Sequence, residues 1–123
     1  MTIYFDFEAP MEIAYKSNRL RKAFERQSEA NRQWGQENAR KLLLRFEQLR
    51  AAPNLALFAK FPGTGFHALK GRRQNQFACY GKHPYRLIFE VDHDPPPRSS
   101  DGGIDFGRVT RIRLLEVVDY HGD

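Results

Sequence analysis

The sequence predicts an α+β fold in which an N-terminal antiparallel helix hairpin packs on one face of a mainly antiparallel sheet of about four to five strands. Apolar residues recur at helical spacing in the first half of the chain, and β-prone segments separated by turn residues fill the second half. The 123 residues suit a single domain, 1–123, with one modest hydrophobic core.

The N-terminal segment contains a short β-prone stretch at residues 3–7, which Pro10 interrupts, and residues 12–14 can continue as an edge strand. Ser17 or Asn18 then caps the start of a helix, because either side chain can accept a hydrogen bond from a first-turn amide. The apolar residues of this first helix recur at helical spacing and are Leu20, Ala23 and Phe24.

The second helix follows a turn at Trp34 and Gly35 and ends at Pro53. Its apolar stripe consists of Ala39, Leu42, Leu43, Phe46 and Leu49. Two helices joined by a short turn pair as an antiparallel hairpin. A short apolar segment at 55–58 and a turn at 62–65 lead from this hairpin to the sheet.

The later part of the chain has the composition of strands and turns. The predicted strands are 66–70, 76–80, 85–91 and 109–118. Residues 81–84 form the hairpin turn, and the proline-rich and glycine-rich segment 92–108 is expected to be a mobile loop. The last strand is apolar on both faces apart from Glu116, which is typical of a central strand covered by a helix on one side.

Charge is unevenly distributed within a net charge of +5. Residues 60–86 contain no acid, and their basic residues are Lys60, Lys70, Arg72, Arg73, Lys82 and Arg86. A basic block without counter-charges favours a polyanionic partner, because neutralised phosphates release their counterions. No apolar run approaches the roughly 20 residues of a membrane helix, so no membrane partner is expected. The single cysteine, Cys79, favours a cytoplasmic location.

Several polar residues that could take part in catalysis lie in or next to the predicted strands. They are His67, Lys70, Arg72 and Arg73 beside the first core strand, Arg86 in the third, and Asp119, Tyr120 and His121 after the last. Cleavage of RNA by its own 2′-hydroxyl needs a base, an acid and cations that stabilise the transition state. Histidine supplies the first two functions and lysine or arginine the third. Because no metal-site spacing or cofactor motif is found, no metal and no cofactor are expected. The run Asp92-His93-Asp94 is interpreted as the rim of a polar loop.

Three stretches together resemble the HigB branch of the RelE/ParE toxin superfamily. Residues 66–71, 85–89 and 115–121 read F-H-A-L-K-G, Y-R-L-I-F and L-E-V-V-D-Y-H. The family typically reads H-P-L-K-G-D-R, then an aromatic residue, then Y/W-R-I/L-x-F and a terminal D-Y-H. The likeness extends over roughly residues 12–121. Ala68 replaces the usual proline and Arg72 the usual aspartate, which bears on substrate preference.

The resemblance implies a RelE-like fold and a ribosome-dependent endoribonuclease that cleaves mRNA and is neutralised by a helix-turn-helix antitoxin. It assigns catalysis to His67, Asp119 and His121. The substrate-binding residues that we expect are Lys70, Arg72, Arg73, Tyr85, Arg86 and Tyr120.

Other interpretations remain open from the residues alone. The same fold also serves ParE-like inhibitors of DNA gyrase, which need no acid–base pair, and a degenerate, non-toxic RNA-binding module is a third hypothesis. Arg86 is either a phosphate ligand or an ion-pair partner of Glu116 or Asp119. Tyr85 either stacks on a base or covers the sheet. Residues 119–121 are either catalytic or a frayed tail.

Overall fold

The computed structural model describes residues 9–119, which contain four helices, five strands and one long connection at 92–110. The elements are β1 (Glu12–Tyr15), α1 (Asn18–Glu25), α2 (Gln27–Trp34), α3 (Gln36–Ala51), α4 (Leu55–Ala59), β2 (His67–Ala68), β3 (Gln76–Tyr80), β4 (Tyr85–Val91) and β5 (Arg111–Asp119). Two 3₁₀ turns lie at Gly71–Arg73 and Phe106–Arg108. The strand predicted at 3–7 lies outside the described residues.

The strands form one sheet in the order β1-β5-β4-β3-β2. Every neighbouring pair is antiparallel except β1 and β5, which are parallel. The predicted α+β class is therefore confirmed, and the arrangement is consistent with a RelE-like fold. The edge strand expected at 12–14 is confirmed as β1.

The first predicted helix is divided at Arg26, whose extended backbone (φ −129°, ψ 115°) ends α1 and begins α2. The break brings the ring of Trp34 against that of Phe24, with centroids 4.9 Å apart. Ten residues of continuous helix would rise about 15 Å, so this contact requires the break. α2 and α3 then form the predicted hairpin through Gly35, whose φ of +79° favours glycine.

Two other elements differ from the prediction. The apolar segment after Pro53 is the short helix α4, because the side chain of Asn54 accepts a hydrogen bond from Leu57 N at 3.0 Å and caps its first turn. The strand expected at 66–70 keeps only two residues, since Gly71, with φ +63°, starts a 3₁₀ turn there.

Strand alternation divides the sheet into a covered face and an open face. The covered face carries Phe77, Cys79, Leu87, Phe89, Ile112 and Leu114, which join the main core. The helices contribute Leu20, Phe24, Leu42, Phe46, Leu49, Leu55 and Phe58 to the same core. The open face has only a small second cluster, in which Leu69, Ala78 and Ile88 are buried with Leu115 and Val118 packed against them. Among the described residues, no helix side chain joins this second cluster.

The helices of the described region are short. The longest, α3, has 16 residues. None of these helices combines the length and the apolar character required to cross a bilayer.

Candidate functional site

The candidate site lies on the open face, at the corner formed by β2, β3 and β4. His67 pairs with Ala78, and Tyr80 pairs with Arg86 on the next strand. The Cζ atom of Arg86 lies 4.4 Å from the centroid of the Tyr80 ring, which is a cation–π contact. The register therefore places an exposed histidine and a stacked tyrosine–arginine pair on one side of the sheet.

The tautomer of His67 follows from its hydrogen bond. Its Nδ1 lies 2.7 Å from the carbonyl oxygen of Gly65, and a carbonyl oxygen can only accept. Nδ1 therefore donates a proton to this bond, and Nε2 is the ring nitrogen that can take up or release a proton. The side chain is exposed at the edge of the sheet, where a substrate can reach it.

The Tyr80 ring rests against the backbone of Gly65. A Cβ atom added to Gly65 would lie 2.4 Å from Cε1 of the ring, and the φ of +62° also favours glycine. The N–H of Tyr80 donates to Thr64 O at 2.8 Å. Tyr80 was not among the predicted site residues, although its exposed ring contacts both Arg86 and Gly65.

Helix α3 holds the β3–β4 hairpin from the covered side. Arg45, which is only 8% exposed, donates from Nε to Tyr80 O at 2.9 Å and from Nη1 to Gln48 Oε1 at 2.6 Å. The side chain of Asn38 accepts a hydrogen bond from Lys82 N at 3.0 Å. Arg45 forms no salt bridge with any acid in residues 9–119. Its charge therefore adds positive potential behind the candidate site.

Two of the basic residues in 60–86 have acidic partners that are distant in the sequence. Arg73 pairs with Glu116 at 3.4 Å and donates a hydrogen bond to the side chain of Gln76 at 3.0 Å. These contacts within the protein leave fewer of its N–H groups for a ligand. Lys82 pairs with Glu37 and lowers the pKa of that carboxyl below its ordinary value. Within the described chain, no ion-pair partner is found for Lys60, Lys70, Arg72 and Arg86.

Two of the predicted phosphate ligands lie beside β2 and are exposed. Lys70 immediately precedes the 3₁₀ turn, and Arg72 lies within it. Because Leu69 N donates to Gln76 O, this turn lies at the Gln76 end of β3, whereas Arg86 pairs with Tyr80 at the other end of that strand. The structure thus brings His67 and Arg86 to the open-face corner and places Lys70 and Arg72 at the other end of β2.

The structure does not bring Asp119 to this corner. Asp119 pairs with Tyr85, whereas the β5 residue at the level of His67 is Glu116. Three strand spacings of about 4.8 Å separate β2 from β5, or about 14 Å. Tyr85 and Asp119 also belong to the covered side, where they line a groove together with Trp34. Tyr120 and His121, two further predicted site residues, lie outside the described residues.

The contacts of Arg86 bear on whether it is a phosphate ligand or the ion-pair partner of an acid. Glu116 pairs with Arg73, and no salt bridge joins it to Arg86. The Nη1 atom of Arg86 instead donates to Tyr85 O at 3.0 Å. Its other N–H groups form no hydrogen bond with a described residue, so they can reach an anionic ligand.

His93 has a structural role. Its Nε2 accepts hydrogen bonds from the N–H groups of Thr110 at 3.0 Å and Arg111 at 3.2 Å, at the start of β5. No group of three or more His, Cys, Asp or Glu side chains in residues 9–119 is placed to hold a metal ion.

The open-face corner thus combines one exposed imidazole and a fixed guanidinium, and further exposed cations lie at the other end of β2. This set can bind a phosphate and transfer a proton. Comparisons of the chain with protein-family models, with curated proteins and with solved structures found no significant match.

Proposed function

We propose that this protein is the toxin of a toxin–antitoxin pair, a ribosome-dependent endoribonuclease that cleaves mRNA in the cytoplasm. The observation that carries the proposal is the open-face corner, where exposed His67 lies near Arg86, which no acid neutralises in the described chain. The resemblance of residues 66–71, 85–89 and 115–121 to the HigB branch supports the same activity.

The proposed reaction is attack of an RNA 2′-hydroxyl on the adjacent phosphorus. A bond forms between the 2′-oxygen and phosphorus, and the bond from phosphorus to the 5′-oxygen breaks, leaving a 2′,3′-cyclic phosphate. One group takes the 2′-hydroxyl proton and another gives a proton to the departing 5′-oxygen. The Nε2 atom of His67 is one of these groups, and Arg86 and Lys70, on either side of His67, stabilise the charge on this phosphate and on its neighbour.

His121 is the proposed second proton-transfer group. Asp119 lies about three strand spacings from His67, which is too far for both side chains to contact one phosphate. We therefore assign to Asp119 and Tyr120 the orientation of the terminal segment and the contact with neighbouring nucleotides. The proposed partners are mRNA on the ribosome and a helix-turn-helix antitoxin with an acidic surface, and the proposed chemistry uses side chains without a cofactor.

The test is cleavage of a reporter mRNA in a bacterial translation extract, followed by mapping of the new 5′ ends. His67→Ala is expected to slow cleavage about 10²–10⁴-fold, because a positioned acid or base contributes that much. The melting temperature is expected to stay unchanged, since His67 is exposed. Removal of residues 119–123, or His121→Ala alone, should have a comparable effect on cleavage.

The matched control is His83→Ala, which removes another exposed histidine from the β3–β4 turn. This variant should cut mRNA at the parent rate. Cleavage by His67→Ala at the same rate as the parent would contradict the nuclease proposal.

A gyrase inhibitor is the second candidate, and one observation favours it. Among the described residues, no second acid–base side chain contacts His67. A binding protein on the same fold needs none. Inhibition of DNA supercoiling by purified gyrase, retained in His67→Ala, would support this alternative, whereas growth arrest that depends on His67 supports the nuclease.

A further inference from the structure

The guanidinium of Arg86 is fixed by two contacts, and neither involves a carboxylate. Its Nη1 donates to Tyr85 O at 3.0 Å, and its Cζ lies 4.4 Å from the Tyr80 ring centroid. A guanidinium has five N–H donors, so most of them remain for a ligand. A free arginine side chain would lose considerable rotamer freedom on binding a phosphate, and prior fixation reduces that loss.

The Tyr80 ring is itself held in place although it is 41% exposed. Gly65 lies directly against the ring, and any larger residue there would overlap it. From the covered side, Arg45 donates to the carbonyl oxygen of Tyr80. Backbone and ring are thus anchored by different elements, which makes Tyr80 a fixed support on an otherwise open surface.

We infer that Tyr80 is a positioning residue that holds the Arg86 guanidinium ready for an RNA phosphate. The inference rests on the proposed function and extends it to a residue that the sequence motifs do not include. Arg86 provides the charge, Tyr80 orients it, and Gly65 leaves the space that the ring requires.

The salt dependence of RNA binding tests this inference. A single-stranded RNA oligonucleotide of uridines is titrated with the full chain at several KCl concentrations, and binding is followed by fluorescence anisotropy. Each lost phosphate contact reduces the slope of log K against log salt by about 0.7 for single strands. Arg86→Gln should produce this reduction.

Tyr80→Leu should produce the same reduction, although it changes no charge. A role in fold stability or in apolar contact alone would weaken binding without changing the salt slope. Affinity should fall about 2- to 30-fold, in line with the strength of cation–π contacts. The double variant Tyr80→Leu/Arg86→Gln should match Arg86→Gln alone, because both changes remove one interaction.

Two variants serve as controls. Tyr80→Phe retains the ring and should restore the wild-type slope. Phe61→Leu changes an aromatic residue of similar exposure, 39%, after α4 and should leave slope and affinity unchanged. Thermal melting checks that each variant is folded.

Gly65→Ala provides an independent route if Tyr80→Leu does not fold. It keeps both side chains but places a methyl group against the ring, so it should also reduce the slope by about 0.7. If Arg86→Gln lowers the slope and both Tyr80→Leu and Gly65→Ala leave it at the wild-type value, the role of Tyr80 is wrong while the proposed function stands. If Arg86→Gln itself leaves the slope unchanged, Arg86 binds no phosphate and the inference fails, whereas the cleavage assay tests the proposed function separately.

Discussion

The two faces of the sheet differ in what their side chains do. On β4, Leu87 and Phe89 are fully buried in the main core, whereas Arg86 and Glu90 on the same strand belong to the open face and are half-buried. One strand therefore stabilises the fold through one set of alternating residues and presents charge through the other. Substitutions on a single strand should consequently separate stability from activity.

The open face is itself divided into a neutralised half and a positive half. On the side of β1 and β5 the arginines have acidic partners, and these pairs are Arg111–Glu12 and Arg113–Glu90. On the side of β2, the cations Lys70, Arg72 and Arg86 form no ion pair with a described residue. The Arg73–Glu116 pair lies between the two halves. A polyanion should therefore bind toward β2, where His67 lies.

Phe89→Ala is expected to have the largest effect on the covered face. The side chain is fully buried among Phe66 and Phe77, so its removal leaves a cavity and should cost about 3–5 kcal/mol of unfolding free energy. Urea denaturation measures this loss. The neighbouring Glu90→Ala, on the open face, should cost about 1 kcal/mol or less. Equal losses for the two variants would contradict the division between the faces.

The thiol of Cys79 should produce the next largest effect, and only at alkaline pH. Burial on the covered face raises the pKa of this thiol from 9.0 to about 12. Because the folded state holds the proton more tightly, this contribution is complete below pH 9 and disappears as the pH rises toward 12. At pH 10.5 the loss amounts to about 2 kcal/mol.

The measurement compares the parent with Cys79→Ala by urea denaturation at pH 8 and pH 10.5. The parent should lose about 2 kcal/mol more than the variant between the two pH values, since other titrating groups are common to both. The thiol should also resist alkylation until the protein is unfolded. Equal pH dependence in the two proteins would show that the thiol ionises freely.

Glu116→Gln should have the smallest effect. It removes the acidic partner of Arg73 and so should extend the positive half of the open face. The Arg73–Glu116 pair is substantially exposed, so its loss should cost at most about 1 kcal/mol of unfolding free energy. Release of Arg73 should raise the affinity for single-stranded RNA about 1.5- to 5-fold at low salt. Glu12→Gln, which frees Arg111 on the neutralised half, is the matched control. A larger gain from Glu12→Gln would place the RNA toward β1.

Local patterns were sufficient for most of the secondary structure. The stripe of α3 and the alternation of β3 and β4 are repeated signals within one segment, and these elements are confirmed at the predicted places. The break at Arg26 was not predicted, because the contact between Phe24 and Trp34 that it permits joins residues ten positions apart. Similarly, the charges counted along 60–86 do not include Glu37 and Glu116, which pair with Lys82 and Arg73 only in the folded chain.

The candidate site was predictable only in part. His67 and Arg86 stand in motifs, and the structure brings them to one corner, although their roles remain predictions. The sequence indicated Tyr80 only weakly. It is an aromatic residue that alternation places on the same face as Ala78, directly before the turn at Gly81. Its supports come from Gly65 and Arg45, which are distant along the chain and next to it only in the fold.

The sequence by itself determined the elements, the covered face and the residue types available for chemistry, because these depend on composition and local periodicity. Tertiary structure alone decided on which face the end of β5 lies. Strict alternation from Ile112 and Leu114 on the covered face would put Asp119 on the open face with His67. A bulge intervenes, since Phe89 pairs with Leu114 and Ile88 with Glu116, which leaves Leu115 as an extra residue. One extra residue reverses the alternation of everything that follows it, so Asp119 lies on the opposite side from His67.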